Sequence, residues 1–125
     1  TWKWAGKFRQ KETQPGIDPK QIPEQTKLLL DDVLCWIKYN TYDQQEIAYR
    51  FHHRLVQIHP FLNGNGRHSR EITDILLRIL GLEQFSWGRH IDLMQESKIR
   101  KKYIQALRTA DTGNYALLRQ FLELE

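Results

Sequence analysis

Residues 43–81 read DQQEIAYRFHHRLVQIHPFLNGNGRHSREITDILLRILG, two helical stretches separated by a glycine-bearing loop. In the first stretch Ile47, Phe51 and Leu55 recur at four-residue steps, which puts them on one side of a helix running to about Ile58. Asp43 stands where an N-cap would, its carboxylate able to take up a free backbone N–H. Pro60 disfavours helical geometry at His59, so the helix stops there. After the loop, Ile72, Ile75, Leu76, Ile79 and Leu80 predict a second stripe over about 67–80, ended by Gly81.

The same period extends outward in both directions. Leu29, Leu30, Val33, Leu34 and Ile37 predict a helix over about 24–40, with Pro23 suited to its first turn. Ile99, Tyr103, Ile104 and Leu107 predict a fourth helix over about 91–110. Asn114 caps a short last one through Leu118, Phe121 and Leu122. Residues 1–23 are irregular: Trp2, Trp4 and Phe8 are followed by Pro15, Gly16, Pro19 and Pro23, and QPGIDP has turn chemistry. A loop or short hairpin projecting from a helical body is expected there. No segment shows clear period-2 alternation, so the fold class is all-α with a small β-hairpin near the start.

The 125 residues fit one domain. Such a chain buries roughly two-thirds of its unfolded surface, enough for a core without staples. Hydrophobic residues make up 40% and charged residues 27%, with no run near ~18 consecutive apolar residues, which excludes a transmembrane helix. Cys35 is the single cysteine, so no intramolecular disulfide forms and a cysteine-based metal site is not expected; a reducing, cytoplasmic setting is. The net charge of +4 suits an anionic small molecule and is too scattered to argue for nucleic acid. The opening TWKWAGKFR carries no signal peptide and reads like the middle of a folded chain, with further residues expected upstream.

The loop carries the chemistry. Gly64 and Gly66 flank Asn65, all residue types that tolerate unusual backbone angles, and the chain then enters a helix. Such a junction aims free backbone N–H groups, and the positive end of the helix dipole, at one point. It is an anion site by construction. Arg67 on the first turn and Arg70 one turn on can close over the same anion, and two guanidiniums with a nest of amides suit a polyphosphate better than a carboxylate. His59, at the loop's other end, is placed to take a proton from an incoming hydroxyl.

This layout resembles the signature of the Fic family, HPFx(D/E)GNGRxxR, which HPFLNGNGRHSR matches at every defined position but one. The GKFR segment, the Pro/Gly-bearing flap at about 8–23, the loop at 59–70 and the closing ALRTADTGNYALLRQFLE follow the family's order. WKWAGKFR, FHHRLVQIHPF, NGNGRH and FSWG further resemble the subfamily called mobile mystery protein B. The resemblance implies a Fic-type helical domain that moves AMP from ATP onto a Ser, Thr or Tyr hydroxyl of a target protein. It also implies roles. His59 would be the general base, and Gly64, Asn65 and Gly66 the anion hole for the α- and β-phosphates. Arg67 would hold the phosphates and Arg70 would pair with the γ-phosphate. Phe61 would anchor the loop, and the flap, with Gly16, Ile17 and Asp18, would hold the target by main-chain pairing.

The mismatch is Asn63, which stands where the family places an acidic Mg²⁺ ligand. A neutral amide weakens that site but leaves Mg²⁺ recruitable through the nucleotide's phosphates. A slower AMP transferase, transfer of another phosphate-containing group such as UMP or phosphoryl, and a non-catalytic nucleotide-binding or toxin–antitoxin interaction module therefore stay open. The family's inhibitory string (S/T)xxxE(G/N) does not occur in these residues, so Arg70 is expected to be free to engage ATP. An inhibitory or antitoxin partner and a homodimer are the further associations left open; a membrane is not expected. His52 and His53 are neighbours on a helix, ~100° apart, and are not a chelating pair. One is expected to pack under the loop and the other to be solvated.

Overall fold

The computed structural model describes residues 8–11, 16–61, 65–85, 87 and 96–123. Within them the chain forms five α-helices: α1 (Ile22–Lys38), α2 (Gln44–Ile58), α3 (Asn65–Ile79), α4 (Glu96–Asp111) and α5 (Ala116–Glu123). The starts follow the sequence chemistry. The Asp43 carboxylate accepts from the Glu46 N–H at 2.8 Å, and the Asn114 side chain accepts from the Ala116 N–H at 3.1 Å. Gly81 and Gly113, both at positive φ, end α3 and α4. The expected start of the fourth helix near 91 lies outside the described residues.

α2 is the axis of the domain, because both of its sides are buried. Ile47, Phe51, Leu55 and Ile58 meet Ile22, Leu29 and Val33 of α1 and Leu76 of α3. Ala48 and Tyr49 meet Leu77 of α3, Phe85, Ala106 and Ala110 of α4, and Leu118 and Leu122 of α5. A helix enclosed in this way cannot shift without opening two clusters at once, which fixes where its C-terminal end stands. No helix among the described residues is long and apolar enough to cross a membrane.

The expected stripes are right for α2 and only partly right elsewhere. On α3, Ile75 and Ile79 are 45% and 74% exposed, whereas Leu77 is fully buried. The buried row runs Ser69, Thr73, Leu77, and its first two members are polar: the Thr73 hydroxyl donates back to the Ser69 carbonyl at 2.7 Å. Apolar periodicity cannot report a face that begins in hydroxyls. On α1, Leu30 and Leu34 face solvent and Ile22, Leu29 and Val33 form the buried row. On α4 the buried residues are Ala106 and Ala110, small enough to let the helix approach its neighbours.

The hairpin does not form among the described residues, which contain no strand; 12–15 of the expected flap lie outside them. Two local reasons are visible. The Asp18 carboxylate accepts from the Lys20 N–H at 3.0 Å, and with Pro19 at the first position it starts a 3₁₀ turn, Pro19–Gln21, that feeds directly into α1. The Lys11 and Ile17 carbonyls, which a ladder would engage, are both taken by the Arg9 guanidinium.

Leu77→Ala is expected to lower the unfolding free energy by about 3 kcal/mol, against about 0.5 kcal/mol or less for Ile79→Ala. Urea unfolding of the two variants measures this; equal losses would mean that the buried face of α3 is misread.

Candidate functional site

His59 caps α2 in the left-handed region, at φ 51° and ψ 63°, its N–H donating to the Leu55 carbonyl at 3.1 Å. A non-glycine residue there is uncommon, although histidine is among the better tolerated, and the conformation costs roughly 1–2 kcal/mol. Pro60 contributes by disfavouring the helical alternative. The stronger restraint is Arg9. Its backbone N–H donates to the Pro60 carbonyl at 2.9 Å. Its guanidinium donates to the carbonyls of His59 and Ile58 on one side, and to those of Ile17 and Lys11 on the other. Arg9 is only 3% exposed, and among the described residues no carboxylate pairs with it. Its charge rests on carbonyl dipoles and on the negative end of α2. Burial first, and the Arg9 charge second, hold the His59 imidazole below its ordinary pKa, so the ring is neutral at pH 7.

The other end of the loop is fixed by Asn65. Its Oδ1 accepts from the Phe61 N–H at 2.9 Å and its Nδ2 donates to the Phe61 carbonyl at 2.6 Å, a two-point clasp that ties the loop back on itself. The side chain is buried and starts α3 at residue 65, two positions earlier than expected. The amide side chain of Asn65 thus shapes the loop, while its backbone opens α3. Phe61, expected as an anchor, is partly buried, between Phe8 at 6.0 Å and the His68 ring, which meets it edge-on at 4.8 Å. Burial lowers the His68 pKa, so this ring too is held toward the neutral form.

The first turn of α3 contains no acidic residue and carries Arg67, which is exposed. A cation at the positive end of a helix dipole is unfavourable unless an anion joins them. Arg70, one turn on, is partly buried, and among the described residues no carboxylate lies within ion-pair distance of it. Beneath it His52 and Tyr103 are neutral, while the Asp74 carboxylate, buried one turn further along α3, accepts from Trp87 Nε1 at 2.9 Å. His52 is fully buried, its Nε2 2.6 Å from the Tyr103 hydroxyl and its Nδ1 3.3 Å from Thr73 Oγ1. Thr73 gives its own proton to Ser69, so His52 donates from Nδ1 and Tyr103 donates to Nε2. Burial, reinforced by the Arg70 charge and by the neighbouring His53, drives the His52 pKa down to about 3. Burial likewise pushes Tyr103 up to about 12.

The expectation that one of His52 and His53 is solvated is wrong. His53 is also buried, because its Nε2 meets the Asp111 carboxylate at 2.8 Å and its ring packs edge-on against Tyr115. Both rings have specific partners across the bundle, which single-sequence periodicity does not reveal. Asn63 and Gly64 lie outside the described residues, and Gly66 lies in the first turn of α3. Of the flap residues, Gly16 adopts φ 147°, Ile17 packs on the α1–α2 core while its carbonyl accepts from Arg9, and Asp18 is exposed and caps the 3₁₀ turn. The sequence pattern, GKFR included, assigns Arg9 no role. The signal it carried was a basic residue between aromatic and polar neighbours, which looks the same whether solvated or buried. Among the described residues no cluster of three His, Cys, Asp or Glu side chains could hold a metal.

Unfolded, His52 titrates near 6.5; folded, at about 3. The unfolded chain therefore takes up the proton first. The stability due to this group is complete above pH 6.5 and drains away as the pH falls toward 3. His52→Gln is expected to make the unfolding free energy between pH 7 and pH 5 less pH-dependent by about 2 kcal/mol. Equal slopes for variant and parent would contradict a buried neutral imidazole.

Comparison with known proteins agrees with this geometry. The Fic/DOC family profile matches residues 2–77. The chain is 28% identical over 121 residues to protein adenylyltransferase Fic of Drosophila erecta, covering 94% of this chain and 23% of that protein. It is 27% identical over 121 residues to protein adenylyltransferase fic-1 of Caenorhabditis elegans, covering 94% and 22%. The solved structure of C. elegans Fic-1 superposes with a TM-score of 0.64 at 25% identity, over 95% of this chain and 33% of that one. The chain thus spans about a quarter of the length of the curated relatives it matches. The similarity supports the family as a whole and does not extend to the mobile mystery protein B subfamily. This chain belongs to the Fic/DOC family.

Proposed function

We propose that this chain, a single Fic-type domain, transfers AMP from ATP to a Ser, Thr or Tyr hydroxyl of a target protein. The observation that carries the reading is the start of α3. It is a helix N-terminus with a cationic first turn and no acidic residue, preceded by a clasped glycine-bearing loop that begins at a histidine held neutral. The relatives' printed names, protein adenylyltransferase, point the same way.

In this reaction the α3 amides and Arg67 bind the phosphates of ATP, and Arg70 meets the γ-phosphate. His59 takes the proton of the incoming hydroxyl as its oxygen forms a bond to the α-phosphorus. The bond from that phosphorus to the bridging oxygen breaks, and pyrophosphate leaves. Most of the barrier is lowered by positioning and charge stabilisation, so a cradle and one base suffice. Asn63 would offer Mg²⁺ a neutral carbonyl in place of a carboxylate, a poor fit without the nucleotide, and the ion would add charge stabilisation on the phosphates. The absence of a carboxylate on Arg70 among the described residues supports its being available to ATP. Phosphoryl transfer and nucleotide binding without turnover are alternatives that one labelling experiment separates.

Incubation of the chain with α-labelled or γ-labelled ATP in a cell lysate is the test. Label on protein from the α position alone is expected, and His59→Ala abolishes it while ATP binding persists. Label from γ alone means phosphoryl transfer. Binding without label means a nucleotide-binding module. Because His59 titrates below 6.5, the acid limb of the rate lies below that pH, and a rate already halved above it would contradict the base assignment. Asn63→Asp is expected to lower the Mg²⁺ concentration needed for half-maximal labelling; an unchanged Mg²⁺ titration would remove position 63 from the metal site.

A further inference from the structure

We propose that Arg9 is a positioning residue for this transfer: its buried guanidinium holds the base, His59, in its left-handed conformation and ties that conformation to the segment at Ile17. The inference rests on the adenylyl-transfer reading and adds to it a residue outside the loop. Four main-chain carbonyls converge on one side chain. Nε donates to His59 at 2.5 Å, Nη2 to Ile58 at 3.1 Å and to Ile17 at 2.6 Å, and Nη1 to Lys11 at 2.7 Å. Two of these acceptors close α2, and two belong to the limbs of the flap. Only a planar fork with donors on several edges reaches both sides; an ammonium group has its three donors on one atom.

The effect on the imidazole is geometric. A side chain leaves Cα between the φ and ψ bonds. The His59 N–H is fixed on Leu55 and its carbonyl on Arg9, so the Cα–Cβ direction is fixed as well. Release of the carbonyl frees ψ at a residue already in a sparsely populated region, and the ring moves with it. A shift of about 1 Å in a reacting group costs up to about 100-fold in rate. The same guanidinium accepts no proton and has no carboxylate partner among the described residues, so its charge also reaches the ring. Burial is the larger influence on His59, and Arg9 is the charged group that acts on it among the described residues.

The test has three arms. In the unaltered protein, NMR of the Arg9 Nε–H is expected to show slow exchange with solvent and an inflection at the midpoint of His59. Arg9→Gln is expected to raise that midpoint toward the ordinary 6.5. Arg9→Lys is expected to keep ATP affinity, by titration calorimetry with ATP, within about twofold, and to lower α-label transfer by about 10- to 100-fold. An Arg9→Lys variant that labels at the parental rate, a His59 midpoint unmoved in Arg9→Gln, or a freely exchanging Arg9 Nε–H overturns the proposal. Where a variant fails to fold, the first arm decides. If the unaltered chain transfers no label, adenylyl transfer fails as a reading, and the two NMR arms still decide whether Arg9 holds His59.

Discussion

A helix ends with carbonyls that no residue of its own can satisfy. At the end of α2 the donors come from a side chain fifty residues earlier in the chain, a guanidinium buried to 3% exposure. That contact joins the parts of the domain that matter for chemistry: the axis helix, the loop that follows it, and the irregular segment before α1. A buried cation without a carboxylate is costly unless dipoles surround it, and here carbonyl oxygens do so. The cost has a consequence for function. The carbonyls that stabilise Arg9 include that of His59 itself, so the proposed base is also an acceptor for the residue that fixes it.

The loop is then a span clasped at both ends. Arg9 holds the His59 end, and the Asn65 amide pairs with both polar groups of the Phe61 backbone at the other. The electrostatics follow one pattern. Two buried titratable groups beneath α3 are kept neutral, His52 by burial and by the nearby Arg70 charge, and Tyr103 by burial. The positive charge of Arg67 and Arg70 is therefore not cancelled from below by any ionised group in the His52–Tyr103–Thr73 network.

The all-helical class, the boundaries of α2 and the break at His59 were legible because each rests on local chemistry: Asp43 as a cap, the four-residue stripe, and Pro60. The break from a glycine-bearing loop into α3 was legible for the same reason. Less legible were features decided by contacts distant in sequence. Ser69 and Thr73 are buried because they serve each other and His52, so the inner face of α3 does not look apolar. His52 and His53 are both enclosed by groups more than fifty positions away. The expected hairpin is absent among the described residues, where Asp18 and Pro19 favour a tight turn and Arg9 takes carbonyls that a strand would need. Nothing local distinguishes Arg9 from a solvated arginine.

The most direct measurement of the central claim is a crystal structure of the chain with a non-hydrolysable ATP analogue. Phosphate oxygens are expected on the first-turn amides of α3, a guanidinium at the terminal phosphate, and the residue 59 imidazole facing the α-phosphorus with its backbone still left-handed. Phosphates bound elsewhere on the surface, or an imidazole rotated away from them, would contradict that claim.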